Sequence, residues 1–108
     1  EEVEVTVDKR PAIYAPNIFS PNGDGENDLF LLFARPESVQ EIRTFLVFSR
    51  WGETVCSYSH FQPNDPAYGW DGNYRGQAMN PAVFAWFAEV EMLDGRIEFF
   101  EGDVTLVR

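Results

Sequence analysis

A strict alternation of apolar and polar side chains constrains the fold of this chain more than any other feature. From Ala82 to Leu93 apolar side chains recur at every second residue, whereas Glu89 and Glu91 occupy positions between them. This period of two predicts a long β-strand with one buried face, because successive side chains of a strand point to opposite faces of the sheet. The Asp94-Gly95 pair that follows is a strong hairpin signal. We therefore expect a two-residue turn and a strand that returns antiparallel over Arg96–Phe100.

Most of the remaining sequence divides into short segments with strand character and turn signals between them. Leu29–Ala34 is apolar on both sides, which is typical of a central strand in a packed sandwich. Trp51-Gly52 predicts a hairpin turn, residues 59–69 form the longest loop, and Gly102-Asp103 indicates a bulge. Further strands are predicted at Val3–Val7, Ala12–Ala15, Glu41–Arg50, Glu53–Tyr58, Asn73–Met79 and Val104–Val107. We find no convincing helix, and the pattern predicts an all-β fold, an immunoglobulin-like antiparallel β-sandwich of about seven strands.

The composition limits the classes of protein to which the chain can belong. With 108 residues, of which 44% are hydrophobic and 16% aromatic, the chain has enough apolar area for one core. We treat residues 1–108 as a single domain, in which residues 1–13 form an entry strand or a linker from an upstream domain. The formal charge of −10 argues against nucleic acid and anionic lipid as partners and favours cations or a basic surface. No apolar run reaches the ~18 residues of a membrane-spanning helix, so no membrane insertion is expected.

A loop rich in turn-forming residues and oxygen donors lies between Pro16 and Phe30. Its prolines and glycines interrupt any helix or strand ladder, and six Asn, Asp and Glu side chains occur within twelve residues. Two interpretations are open: a bound calcium ion, or a cluster of Asx turns that satisfies its own backbone. The loop lacks the glycine that an EF-hand needs at its sixth position. If calcium binds, the expected side-chain ligands are Asn22, Asp24, Asn27 and Asp28.

No group of residues has the spacing of a catalytic set, so the chain is not expected to be an enzyme. Cys56 is the only cysteine and lies in a strand pattern, where it should behave as a small hydrophobic residue rather than a reactive thiol. His60 is the only histidine and is expected to be an ordinary loop residue. Trp70-Asp71 predicts a packed indole beside an Asp turn. Arg50-Trp51 is either a recognition knob or, as we favour, an arginine stacked on an aromatic ring at a sandwich corner.

The face of the long strand opposite its buried side combines acidic and aromatic residues. Glu89 and Glu91 lie on this face with Phe87, and Phe100 is expected beside them on the returning strand. Either a partner or a neighbouring domain covers these rings, or the sheet curls so that the rings belong to the core, which we favour.

Four segments of the sequence together resemble the gliding-motility-associated C-terminal domain, which is the type B sorting domain of Bacteroidetes. They are PNIFSPNGDGEND (16–28), FLVFSRWGETV (45–55), WDGNYRGQ (70–77) and MLDGRIEFFEGDVTLVR (92–108). Their order and spacing agree with the family from about residue 14 to residue 108. Residues 79–84 depart from the pattern, because the family usually has a glycine before this aromatic strand.

The resemblance implies a C-terminal secretion and cell-surface sorting domain that targets a larger cargo protein to the type IX secretion system. The implied partners are the outer-membrane machinery of that system and a cargo domain upstream in the same chain. The implied location is secreted or cell-surface, reached via the periplasm. We expect partner binding at Val104, Thr105, Leu106, Val107 and Arg108, placed at an accessible sheet margin where a partner could add a strand. The alternative is a calcium-organised adhesion or carbohydrate-binding module.

Overall fold

Two long hairpins, paired side by side, form the largest sheet of the protein. The computed structural model describes residues 13–23, 28–35 and 37–108. The strands are β1 (Ile13–Tyr14), β2 (Ile18–Phe19), β3 (Phe33–Ala34), β4 (Val39–Phe48), β5 (Thr54–Phe61), β6 (Asn73–Tyr74), β7 (Gln77–Ala78), β8 (Ala82–Met92) and β9 (Ile97–Leu106). One 3-10 turn, Pro66–Tyr68, lies between β5 and β6. The predicted all-β class is therefore confirmed.

The sheets are arranged as a sandwich whose larger layer has five strands in the order β2-β9-β8-β4-β5. The pairs β4–β5, β4–β8 and β8–β9 are antiparallel. Strand β2 instead runs parallel to β9, so the expectation of a purely antiparallel sheet is wrong at this edge. Two-stranded sheets β1–β3 and β6–β7 complete the fold. The long alternating segments form hairpins as predicted. The pairing of the two-residue β2 depends instead on residues 15–17, which connect the β1–β3 sheet to the five-stranded sheet.

The β8–β9 pairing is regular from Glu91 opposite Ile97 to Ala82 opposite Leu106. The two predicted strands Arg96–Phe100 and Val104–Val107 are therefore one strand, and the predicted bulge at Gly102-Asp103 is wrong. Gly102 has a different role, because a Cβ atom there would lie 2.9 Å from Nε1 of Trp86, the residue opposite it. The glycine provides room for a large indole rather than a change of register.

The turn between β8 and β9 has three residues, Leu93 to Gly95, and not the two that the Asp-Gly signal predicted. Gly95 N–H donates to the carbonyl of Met92 at 2.9 Å, and Met92 N–H donates to that of Arg96 at 2.8 Å. Gly95 has a φ of +90°, which confirms the predicted positive φ. This is the three-residue hairpin that ends on a left-handed residue. One additional loop residue shifts the register by one, and this shift decides which face each β9 side chain occupies.

The apolar run Leu29–Ala34 is not the central strand that its composition predicted. Only Phe33–Ala34 forms a strand, β3, and this strand pairs with β1. Phe30 instead exchanges backbone hydrogen bonds with Trp70, at 2.9 and 2.8 Å. Phe30, Leu31 and Leu32 are nevertheless buried, because this segment crosses the open side of the five-stranded sheet. An apolar run shows that a segment is buried but does not show with which strand it pairs.

The core lies between the five-stranded sheet and this crossing segment, and it is largely aromatic. The Phe30 ring contacts Phe45 at 5.7 Å and Trp86 at 6.2 Å between centroids. Trp70 lies 4.9 Å from Phe84, and its Nε1 donates to the carbonyl of Asn73 at 2.9 Å. The prediction of a packed Trp70 beside an Asp turn is confirmed. The largest fully buried side chains are Phe19, Phe30, Phe45, Leu32, Ile42, Leu106, Val47, Val90 and Val104.

The other predicted elements have mixed outcomes. The hairpin around Trp51-Gly52 is confirmed, although β5 continues to Phe61 and shortens the predicted loop 59–69. The predicted brief strand Asn73–Met79 is a small hairpin, β6–β7, which turns through Arg75 and Gly76 with positive φ. The predicted strand Val3–Val7 lies outside the described residues.

Candidate functional site

The segment Val104–Arg108, expected to present an open strand edge, lies beside β2. Thr105 N–H donates to the carbonyl of Asn17 at 2.9 Å, and Val107 N–H donates to that of Phe19 at 3.0 Å. The predicted accessible margin is therefore wrong here, because β2 uses the hydrogen-bonding groups that an added strand would need. Val104 and Leu106 are fully buried, whereas Thr105 and Val107 are half-buried and Arg108 is exposed. A role of this segment in partner binding stays a prediction.

Arg108 joins the end of this segment to the loops around the small β6–β7 hairpin. Its Nε donates to the carbonyl of Met79 at 3.0 Å, and its Nη2 donates to that of Gly72 at 3.2 Å. Gly72 has a φ of +83°, and a Cβ atom there would lie 3.3 Å from Nη2 of Arg108. The guanidinium therefore closes this end of the sandwich. The sequence did not predict these contacts of Arg108. The one local signal was Gly72, a turn-forming residue directly after Trp70-Asp71.

The oxygen-rich loop is partly described, since Asp24 and Asn27 of the predicted calcium ligands lie outside the described residues. Asp28 Oδ1 accepts a hydrogen bond from Gly23 N–H at 3.0 Å, and Asn22 N–H donates to the carbonyl of Ser20 at 2.8 Å. The described part of the chain contains no group of three or more His, Cys, Asp or Glu side chains arranged to hold a metal. The Asp28 contact is of the kind expected from the turn-cluster interpretation, and calcium binding at Asn22 to Asp28 stays a prediction.

Cys56 and His60 are the side chains with the most reactive chemistry. Burial raises the pKa of the Cys56 thiol to about 12, and the nearby Asp71 carboxylate adds to this shift. A reactive cysteine requires a lowered pKa, so the expected inert behaviour of Cys56 agrees with its environment. His60 lies in β5 and not in a loop, which corrects the prediction, and its Nδ1 is 3.0 Å from Oε2 of Glu41. Both partners of this pair are solvent-accessible, and neither is next to a candidate nucleophile.

The turn between β4 and β5 presents an exposed indole. The Arg50 guanidinium lies 5.4 Å from the centroid of the Trp51 ring, so the predicted stacking is confirmed. However, the Trp51 side chain is 84% exposed and does not pack into a sandwich corner. Ser49 Oγ accepts hydrogen bonds from the N–H groups of Trp51 and Glu53, at 3.2 and 3.3 Å. The turn is thus fixed by its own hydrogen bonds, while the ring faces solvent.

The solvent-facing side of the β4–β8–β9 sheet carries a second exposed aromatic group. Phe87 and Phe99 are stacked, with centroids 5.9 Å apart and an interplanar angle of 22°, and Phe99 is 64% exposed. The prediction that Phe100 accompanies Phe87 is wrong, because Phe100 lies opposite Ala88 and packs against the core. The prediction assumed a two-residue turn, and the three-residue turn moves each β9 side chain to the other face.

Comparison with known proteins gives a match over nearly all of the described residues. A family model described as the CHU_C type IX secretion signal domain matches residues 13–105, which run from the first residue of β1 nearly to the end of β9. No curated protein matches the chain. Among the described residues, no helix has both the length and the apolar character needed to cross a membrane.

Proposed function

Because this chain belongs to the type IX secretion signal domain family, we propose that outer-membrane components of that system recognise its folded β-sandwich from the periplasm. The domain is a sorting domain, which targets a larger cargo protein to the type IX secretion system. The observation that carries the proposal is the extent of the match, since residues 13–105 include nearly all of both long hairpins and the segment that crosses the open side of the sheet. The adhesion alternative is not favoured, because the matching family is a secretion signal domain.

The burial pattern supports recognition of a folded surface rather than of a linear peptide. In the segment Val104–Arg108, two side chains belong to the core and two backbone N–H groups already bond β2. Of the five residues, Thr105, Val107 and Arg108 have side chains accessible to a partner, while Val104 and Leu106 hold the strand in the core. Recognition by strand addition at this position would first require displacement of β2.

The charge of the chain supports a basic receptor surface. A formal charge of −10 on 108 residues gives the domain a net negative field. A positively charged receptor would therefore bind the domain faster, and the rate would fall as the salt concentration rises. Binding of this kind needs no catalytic group, and the domain acts without enzymatic activity.

A secretion assay tests the proposal. A fluorescent protein with a Sec signal is fused ahead of residues 1–108 and expressed in a host that has a type IX system. The complete fusion is expected outside the cell, whereas a fusion without residues 103–108 is expected to stay in the periplasm. That truncation also removes core side chains, so Arg108→Ala is the variant that leaves the core intact. Retention of the complete fusion while native cargo is exported normally would refute the proposed function.

A further inference from the structure

The solvent-facing side of the five-stranded sheet carries a continuous apolar stripe, which we call the outer-face stripe. It crosses three strands and consists of Leu46 and Phe48 on β4, Ala85 and Phe87 on β8, and Phe99 on β9. Phe48 lies opposite Ala85 and Leu46 lies opposite Phe87, so these four side chains share one face. Phe99 continues the stripe through its stacking on Phe87. Each of the five residues remains at least partly accessible to solvent.

Three residues of the stripe also form the floor of a shallow depression. A depression of about 710 Å³ is lined by Phe48, Ala85 and Phe87, with Glu101 and Asp103 along its β9 side. A neighbouring depression of about 750 Å³ shares Phe48, Ala85 and Asp103. The two depressions together extend the apolar floor toward the β4–β5 turn. Such a surface has the usual arrangement of an interface, with an apolar centre and a polar rim.

The rim of the stripe is acidic. Glu89 and Glu91 on β8, and Glu101 and Asp103 on β9, occupy odd positions and therefore project from the same face as Phe87 and Phe99. Glu91 lies directly opposite Glu41 of β4, an arrangement of like charges that weakens a sheet. Two basic side chains accompany these carboxylates, since Arg43 Nε lies 3.8 Å from Oε2 of Glu89 and Arg50 lines the second depression. The face is therefore strongly negative beside an exposed aromatic pair.

We propose that the outer-face stripe is the docking surface for a type IX secretion component whose contacting surface combines apolar side chains with lysine and arginine. This inference rests on the proposed function and names the surface that performs it. Charge complementarity determines the occupant, because a second copy of this chain would bring carboxylates against carboxylates. The exposed Phe99 ring is the anchor, as aromatic side chains, phenylalanine included, are enriched at the centres of interfaces. Glu101 and Asp103 orient the basic partner during the encounter.

The test uses single substitutions in the complete fluorescent fusion, each with a matched control. Phe99→Thr removes the exposed ring but keeps a residue that favours strands, and Tyr14→Thr removes a similarly exposed ring, 61% accessible, from β1. Glu101→Lys reverses one charge on the rim, and Glu53→Lys reverses one exposed charge near the β4–β5 turn. The exported fraction is expected to fall about tenfold for Phe99→Thr and Glu101→Lys and less than twofold for the two controls.

Two further measurements make each outcome decisive. Melting curves of the purified domains identify any variant that is less stable. If Phe99→Thr is destabilised, Glu101→Lys, at an exposed position, decides the outcome. Export of both Phe99→Thr and Glu101→Lys at the unsubstituted level overturns the docking surface and leaves the proposed function standing. Retention of the unsubstituted fusion overturns both. Sedimentation of the purified domain tests for a second copy as the occupant, since a dimer that Phe99→Thr dissociates would also overturn the proposal.

Discussion

Replacement of Gly102 by alanine tests a close contact between β8 and β9. Gly102 lies in the middle of β9, opposite Trp86, and the glycine leaves space for the indole. A Cβ atom at this position would lie 2.9 Å from Nε1 of Trp86 and 3.2 Å from both Cε2 and Cζ2. Real Cβ atoms do not approach ring atoms so closely, and Trp86 is 8% exposed within a packed core. The ring or the strand must therefore move.

Two opposing effects determine the size of the change. Forcing an additional methyl group into a packed core costs about 1–3 kcal/mol. Alanine in place of glycine returns about 0.5–1 kcal/mol, because it restricts the unfolded chain. We expect a net loss of about 1–2 kcal/mol, which lowers the melting temperature by roughly 5–10 °C in a domain of this size. Thermal and urea unfolding followed by circular dichroism measure this loss.

Trp86→Phe provides the matched control. The smaller ring leaves space beside Gly102, so the alanine methyl group should fit when both substitutions are present. The double variant is expected to be more stable than the sum of the two single effects by about 1 kcal/mol, which is within the range found for residues in contact. Additive effects, or a higher melting temperature for Gly102→Ala alone, would refute the close approach as the reason for the glycine.

Three other predictions concern the turn, the thiol and the oxygen-rich loop. Gly95→Val should cost about 1–2 kcal/mol, because valine is strained at a φ of +90°, and an unchanged urea midpoint would contradict the turn. The Cys56 thiol should resist labelling at pH 8 until the protein unfolds. Since its folded pKa of about 12 exceeds the ordinary value of 9.0, stability should fall as the pH rises from 9.0 toward 12, and Cys56→Ser should remove this part of the decrease. Millimolar calcium should raise the melting temperature of chelator-treated protein through Asn22, Asp24, Asn27 and Asp28, whereas no heat in calorimetry and no shift in melting would favour the Asx-turn cluster.

The sequence by itself determined the elements whose cause is local. The alternation from Ala82 to Leu93 defined β8 almost to the residue, because a period of two fits only a strand with one buried face. Gly95 was correctly assigned a positive φ, and the β4–β5 hairpin was correctly placed around Trp51-Gly52. The family was also recognisable from the sequence. The four segments that resemble it contain turn residues, and the identity of such residues depends on the local backbone conformation.

The tertiary structure decided pairing, register and accessibility, since these depend on residues far apart in the sequence. The apolar run Leu29–Ala34 is equally compatible with a central strand and with a buried crossing segment. Only the backbone hydrogen bonds between Phe30 and Trp70 distinguish these two structures. Two-residue β2 has too little sequence for a pattern, yet its parallel pairing closes the edge of β9 at Thr105. One turn residue more than predicted brings Phe99 to solvent instead of Phe100, because a shift of one residue moves every side chain of a strand to the other face of the sheet.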